Sequence, residues 1–525
     1  MKKNGKQTNS ILSALLIKLA IIVMILLVAS FLKLRLDFSK NKAYSLSTVS
    51  KEAVRSLKDN MVVKIFASEE LPPEMNNLDR YLKDLLSEYQ IAGKGKFHYE
   101  YIRGLGTEEL RAQAEENGLS TMYFRIYEND KTTNKEVIFG IVFEYQGKFD
   151  SMNLLPQMEP KLEYQLTLKV QKLAKYTLPE ICVFRDSLFV QMPATVFNEA
   201  MQANFNVVDV DLLTPPKQTK AMIFAGVMDS LSTTQLYNLD QYIMQGGNLV
   251  IMQDRVATDG SSLFEIKSNI FPFLRNYGIE IDKNLAMDIF CDIRGVGVDT
   301  SIPFPIYPIL RGSNHPITRN ISDIIMYLTN GISFTKAAGL KFLPILESSV
   351  NSGILMGPDY PMDPSLFRNP DPDLFSHPPI TLGAIVEGKA SSYFKDKQQF
   401  QAPGFIAQND NFRMVVLGDR ELSIDSDKNI YADRNYVILN AVDWLLKRDS
   451  MLAIRSRHLQ QSILDIPYYI NKHDYLWGDT VKLEKRIKTG IKLASTVLPS
   501  LLLIGIGVFM ALRRKQLQGF SDEKK

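Results

Sequence analysis

Cysteine is almost missing from this chain. Cys182 and Cys291 are the only two among 525 residues, so no disulfide framework organises the fold. Cys182 sits in the apolar run Glu180–Phe184 (EICVF) and reads as an inert core thiol, while Cys291 has no flanking glycine. Neither occupies the strained strand-to-helix elbow that exposes a nucleophile, and no Gly-x-Ser-x-Gly elbow occurs either. Histidine is as sparse: His98, His315, His377, His458 and His473 are scattered, with no pair at metal-ligand spacing. Net charge is only +3, and no long basic run interleaves with aromatics, which argues against nucleic-acid binding. No internal repeat or extended low-complexity tract is present. A catalytic nucleophile, a metal and a cofactor are therefore not expected.

One near-motif tests that conclusion. Gly383-Ala-Ile-Val-Glu-Gly388-Lys389-Ala390 almost reproduces the phosphate loop Gly-x4-Gly-Lys-Ser/Thr. Residue 390 is alanine, so the hydroxyl that would bind Mg²⁺ is missing. The intervening Ala-Ile-Val is strand-like, whereas a phosphate loop needs a flexible nest of N–H groups. Nucleotide binding is not expected here.

What the chain does have is apolar sequence in two forms. The hydrophobic share of 45% and charged share of 23% are ordinary for folded domains. Two further runs, Ile11–Leu32 and Leu493–Leu512, have the roughly 20-residue length of a membrane-spanning helix. The first also resembles a signal peptide, but its apolar run passes the small-residue stretch Val28-Ala29-Ser30 and reads better as an uncleaved anchor. Lys2, Lys3 and Lys6 precede the first run, and Arg513, Arg514 and Lys515 follow the second. Basic tails stay inside, so both termini are expected in the cytoplasm and the long middle outside it. The inner flanks are also basic, which leaves the size of the translocated middle to decide. Within the second run Gly505 and Gly507 lie near Ala494, Ser495 and Ser500. Small residues let helix backbones approach in lipid, so Gly505 and Gly507 are candidate helix-packing positions. Ordinary small residues facing lipid are the plain alternative.

Between the runs the pattern is α/β. Met61–Ala67 reads as a strand, and Leu78, Tyr81, Leu82, Leu85, Leu86 and Tyr89 form a helical stripe. Phe97–Ile102, Met122–Tyr127 and Val137–Tyr145 read as strands, giving a mixed-sheet domain thioredoxin-like in outline. Glu163–Tyr176 reads as a connecting helix. The centre of the second domain is Lys220–Asp254: an apolar strand from Ala221, then Ser232 and Gln235 as a capping box, a Leu236/Leu239/Ile243 helix face, a Gly246-Gly247 stop and a second strand at Leu249–Met252. Strand, helix and strand at this spacing make a right-handed βαβ unit. Two proline-rich stretches, 302–316 and 357–379, read as long loops. Asp186, Asp211, Asp254 and Asp419 each fall at or just after the C-terminal end of an expected strand. Open α/β sheets bind ligands along that edge, and carboxylates there suit a cation or cationic group. Against this stands the reading that they cap the turns and helices that follow.

Several stretches together carry a family resemblance. They are Arg35–Lys51 with its Leu-Asp and Tyr44-Ser-Leu-Ser47, Val62–Ala67 before Leu71-Pro72, the Leu236–Met252 unit, and Met414–Asp419 followed by Asn440–Leu445 with Val442-Asp-Trp444. In this order, and with the paired terminal runs, the chain resembles the auxiliary subunits of gliding-motility-type ABC transporters (the GldG family). The resemblance implies a non-catalytic protein of the bacterial inner membrane with its main domains in the periplasm, beside a separate permease and a separate ATPase. It also implies a second domain of flavodoxin-like fold resembling class I glutamine amidotransferases. The expected organisation is a tail (1–10), a transmembrane helix (11–32), an α/β domain (33–160), a connecting helix (161–178), the second α/β domain (179–450), a membrane-proximal segment (451–492), a transmembrane helix (493–512) and a tail (513–525). The rival readings are a divergent periplasmic hydrolase using the acidic sheet edge, and a pure envelope scaffold.

Overall fold

The computed structural model describes residues 45–457 except 104–106, 129–130, 187–192, 261, 296–300, 322–323, 336, 359, 361–366, 368–369, 401–402 and 426–433, together with Met24 and residues 486–490, 492–493 and 495–497. Apart from Met24, Leu493 and residues 495–497, both apolar runs, with Gly505 and Gly507, lie outside the described residues. Among the described residues no helix is long and apolar enough to cross a membrane. The chain divides into two compact units, Met1–Leu459 and Gln460–Lys525, and the first carries a mixed α/β fold.

In the first domain, β1 (Met61–Ala67) runs parallel to β2 (Phe97–Ile102), the two joined by α2 (Pro73–Ala92), after α1 (Thr48–Arg55) has opened the fold. Helix α3 (Thr107–Glu116) and the hairpin β3 (Met122–Glu128) with β4 (Lys131–Val137) follow. Then β5 (Phe139–Tyr145) pairs antiparallel with β1 and β6 (Lys148–Asn153) with β5, giving the order β2-β1-β5-β6. Successive strand side chains point to opposite faces. Met61, Val63 and Ile65 of β1 therefore bury against Leu78, Leu82 and Tyr89 of α2, and Phe66 against Leu110 and Ala114 of α3. The single strand expected at 137–145 divides at Ile138, which exchanges hydrogen bonds with Ser68 instead of continuing either strand. The helix expected at 163–176 is α4 (Leu162–Leu173). Its Leu162, Leu166, Val170 and Leu173 complete the first domain's core.

The second domain is built on a seven-stranded sheet. Strands β7 (Glu180–Phe184), β8 (Asn206–Val210), β9 (Ala221–Phe224), β10 (Asn248–Met252) and β21 (Gln408–Leu417) are parallel; β20 (Thr381–Ser391) runs antiparallel to β21, and β18 (Leu340–Glu347) antiparallel to β20. The order is β18-β20-β21-β10-β9-β7-β8. Numbered along the chain, its parallel strands run 2-1-3-4-5. Alternate residues of the apolar strands feed two layers. Ala221 and Ile223 face α5 (Thr195–Asn204) and α8 (Arg434–Leu445), while Met222 and Phe224 face α6 (Thr233–Met244) and α7 (Ile270–Asn276). Helix α6 begins as its sequence dictates, with Ser232 Oγ accepting from Gln235 N and Gln235 Oε1 accepting from Ser232 N. The Gly383–Ala390 near-motif lies inside β20.

Between β10 and β20 the chain makes an inserted layer, comprising β11 (Val256–Thr258), β12 (Leu263–Glu265), β13 (Ile279–Asp288), β14 (Cys291–Gly295), β15 (Ser301–Leu310), β16 (Ile324–Ile325), β17 (Asn330–Phe334) and β19 (Ser352–Leu355). The first proline-rich stretch is thus largely a strand and not a loop. Proline lacks the N–H that a strand flanked on both sides along its length requires. β15 escapes that demand because its pairing is short: Ile293 and Cys291 of β14 face Pro303 and Pro308 across a bulge, and β16 pairs only at Ile309 and Leu310.

A buried polar joint connects the two domains. Asn204 at the end of α5 accepts from Tyr164 Oη of α4 at 2.8 Å and from Arg455 Nη2 of α9 (Asp449–Arg455) at 3.3 Å. Arg455 also donates to Asn440 Oδ1 at 2.7 Å and pairs with Asp443, whose other oxygen lies 2.9 Å from Arg448 Nη1. Beside it Val49, Tyr164, Met451 and Ile454 form an apolar cluster.

Candidate functional site

The C-terminal edge of the parallel sheet is where an open α/β fold binds ligands, and the four aspartates expected there have different fates. Asp186, after β7, accepts from Met228 N at 2.9 Å and so ties the loop after β9 to its own strand. Asp211, after β8, accepts from Leu213 N at 2.9 Å in a turn. Asp254 and Asp419, after the adjacent strands β10 and β21, are brought together and are 1% and 0% exposed.

Around that pair the structure assembles a charged cluster. Arg420 Nε lies 3.5 Å from Asp254 Oδ1. Asp419 accepts from Glu421 N at 2.7 Å, capping the short turn Arg420–Ser423, and from Tyr327 N at 2.8 Å. Arg434, among the largest fully buried side chains, donates to the carbonyl of Glu421 and stacks 5.0 Å over the Tyr327 ring. Burial pushes the Asp254 carboxyl up to about 8, Arg420 opposing it and Asp419 and Glu421 adding to it. Burial likewise carries Asp419 to about 7 against the pull of Arg434. Each cation balances part of the burial cost of its carboxylate, not all of it.

The inserted layer closes this edge. Thr329 Oγ1 and Asn330 N donate to the Gly418 carbonyl at 2.9 and 3.1 Å, and Arg255 N donates to Asn330 Oδ1 at 2.8 Å. At Gly418 an added Cβ would lie 2.4 Å from the Asn330 carbonyl oxygen, so the layer sits directly on the strand end. Gly226 marks a second close approach: it has φ +81, and a Cβ there would lie 2.6 Å from the Met252 carbonyl oxygen. A shallow cleft of about 90 Å³ remains on the outer side of β7 and β8, lined by Val183, Arg185, Phe197, Asn198, Met201, Gln202, Val207 and Asp209. Arg185 stacks 5.0 Å over Phe197, and burial holds its pKa down against the neighbouring Asp209 and Asp425.

Arg420, Glu421 and Arg434 were not singled out by sequence reasoning. The run Asp419-Arg420-Glu421 directly after an apolar strand was the available signal, since three charges at a strand end imply mutual pairing. Cys182 and Cys291 are both free; burial raises the first thiol and pushes the second up to about 12, which disfavours the thiolate of each. Among the described residues no group of three or more His, Cys, Asp or Glu is placed to hold a metal ion.

Comparison with known proteins finds family models that match two parts of the chain. Residues 178–432 match the family model described as an ABC-type uncharacterized transport system, and residues 40–144 match a domain of unknown function, DUF7088. The first match supports an auxiliary protein of an ABC transporter. An uncharacterized protein of Borreliella burgdorferi is 21% identical over 474 residues, covering 87% of this chain and 90% of its own length. Among solved structures, the mmIFT52 N-terminal domain is similar over 50% of this chain and 96% of its own length, at 14% identity and a TM-score of 0.32.

Proposed function

We propose that this chain, matched by an ABC-transport auxiliary family over residues 178–432, is a non-catalytic, membrane-anchored auxiliary subunit of a gliding-motility-type ABC transport system. That match is the observation that carries the reading. In it a separate ATPase supplies the energy and a separate permease the path. The two α/β domains stand in the periplasm and bind a substrate, a partner or an envelope component. The apolar runs Ile11–Leu32 and Leu493–Leu512 cross the inner membrane among its lipids and leave both termini in the cytoplasm. The parallel order 2-1-3-4-5 supports a flavodoxin-like second domain. A non-catalytic role is supported by the state of the acidic edge, where Asp186 and Asp211 serve turns and Asp254 and Asp419 lie beneath an inserted layer. Any ligand of these aspartates would have to displace that layer.

Three outcomes test the reading. A reporter active only outside the cytoplasm is expected to be active when fused near Asp371 and silent when fused after Lys525; the reverse pattern would overturn the topology. Affinity purification in mild detergent is expected to bring down a permease and an ATPase. Changing Gly505 and Gly507 to leucine keeps the segment apolar but adds bulk where close helix contact is proposed. The double variant should reach the membrane and lose the permease; full retention would place that contact elsewhere in the chain.

A further inference from the structure

Glu163 is nearly buried, yet the groups that satisfy it come from the two ends of the described fold. Its Oε1 accepts from Ser47 N and from Ser50 Oγ, both at 2.7 Å. Its Oε2 lies 3.1 Å from Arg457 Nη1, which also donates to the Ser45 carbonyl at 2.5 Å. Ser45 and Ser47 open the first domain, and Arg457 follows the last helix of the second. Glu163 belongs to neither end: it stands in the first turn of α4, whose apolar face fills the first domain's core. Its own backbone is fixed as well, because the Glu163 carbonyl accepts from Tyr89 Oη at 3.0 Å and from Thr167 Oγ1 at 2.8 Å. Asn320 of the inserted layer donates to the Ser456 carbonyl at 2.6 Å and fixes the exit side.

We infer that Glu163 and Arg457 form a latch that fastens the segment just after α9 to the segment Ser45–Ser50 at the start of α1. Three features favour a latch over an ordinary surface ion pair. The side chains of Glu163 and Arg457 are only 7% and 17% exposed, so the pair is largely shielded from solvent and salt. The carboxylate is met by donors of two kinds, neutral groups of the entering segment and one cation of the leaving segment. Opening the pair therefore strands a charge in a poorly solvated place and makes the opened state costly. The arginine also holds the entering segment directly, through the Ser45 carbonyl. The two ends are thus coupled: releasing Arg457 frees the start of α1 as well as the end of α9. The latch stands on these contacts alone; under the function proposed above, it would pass movement of either terminal segment to the joint between the domains.

Amide hydrogen exchange on the full-length protein tests this without any partner subunit, so failure of co-purification leaves it standing. Arg457→Met is expected to speed exchange by at least about tenfold in both residues 48–57 and 449–457, with β9 and β10 unchanged. Glu163→Gln combined with Arg457→Met removes both charges, and should restore at least part of the protection lost in the single variant. Faster exchange at 449–457 alone would show two independent ends and overturn the latch. Unchanged exchange at both ends would overturn it too, as would additive loss in the double variant. General acceleration that includes β9 and β10 would mean a global fold contact and no latch.

Discussion

Asp443→Ala is expected to cost about 3–5 kcal/mol of stability, because it leaves a buried cation without its counter-charge. Arg455 has a side chain that is 0% exposed, and Asp443 is equally buried. Burial opposes the charge on Arg455, but Asp443 and Tyr164 together outweigh it and hold that pKa above the usual arginine value. Without Asp443 the guanidinium keeps neutral partners only, among them Asn440 Oδ1 and Asn204 Oδ1, and Arg448 loses its ion-pair partner and keeps the Asn204 carbonyl. Trp444, next in the chain and one of only two tryptophans, reports the loss by fluorescence during urea unfolding once Trp477 is changed to phenylalanine. A change below about 1 kcal/mol would show that the joint is not held by this pair. Asp443→Leu with Arg455→Met should recover much of the deficit, since two well-packed apolar groups leave no charge stranded.

Asp443 also illustrates what the sequence conveys and what it withholds. The capping box at Ser232 and Gln235, the glycine stop at Gly246 and the strands on either side are local, so their residues suffice to place them. The register of β9 on β10 follows from two short apolar runs joined by one helix. Val442-Asp443-Trp444 is visible as a motif, but its purpose is not, because Asp443 meets Arg455 only when α9 folds back on α8. Glu163 is less legible still: its donors Ser47, Ser50 and Arg457 lie 116, 113 and 294 positions away. A glutamate among leucines gives no local sign that it will be buried.

The acidic edge shows the same division. That Asp254 and Asp419 end neighbouring strands follows from two apolar runs and a parallel sheet. That Thr329 and Asn330 close over them does not, because β13 takes partners from residues 330–334 on one side and 352–355 on the other. β15 was hidden for another reason. Pro303, Pro305 and Pro308 speak against a strand wherever pairing is continuous, and only the short, bulged pairing with β14 and β16 makes room for them.

Stability measured against pH should expose the cost of that closed edge. The Asp254 carboxyl is raised to about 8 and that of Asp419 to about 7, burial being the leading cause for both; an unfolded aspartate titrates near pH ~4. Between those values the folded chain holds protons that the unfolded chain has released. The associated stability is therefore fully present below about pH 4 and is lost as pH rises through 7 and 8. For Asp254 the loss, at roughly 1.4 kcal/mol per pKa unit, is on the order of 5 kcal/mol. Asp254→Asn keeps the shape and removes the titration. Two effects compete in that variant: no carboxylate needs to ionise in a buried place, but Arg420 loses its partner at 3.5 Å. The raised pKa decides between them, because it means that the surroundings disfavour the charged form even against the pull of Arg420. Glu421 also remains as an opposite charge for Arg420. Urea unfolding at fixed salt should find the variant close to the wild type at pH 5 and more stable than it at pH 8. A variant that loses ground between pH 5 and pH 8 would show that Asp254 is ionised in the folded protein at neutral pH, held there by Arg420.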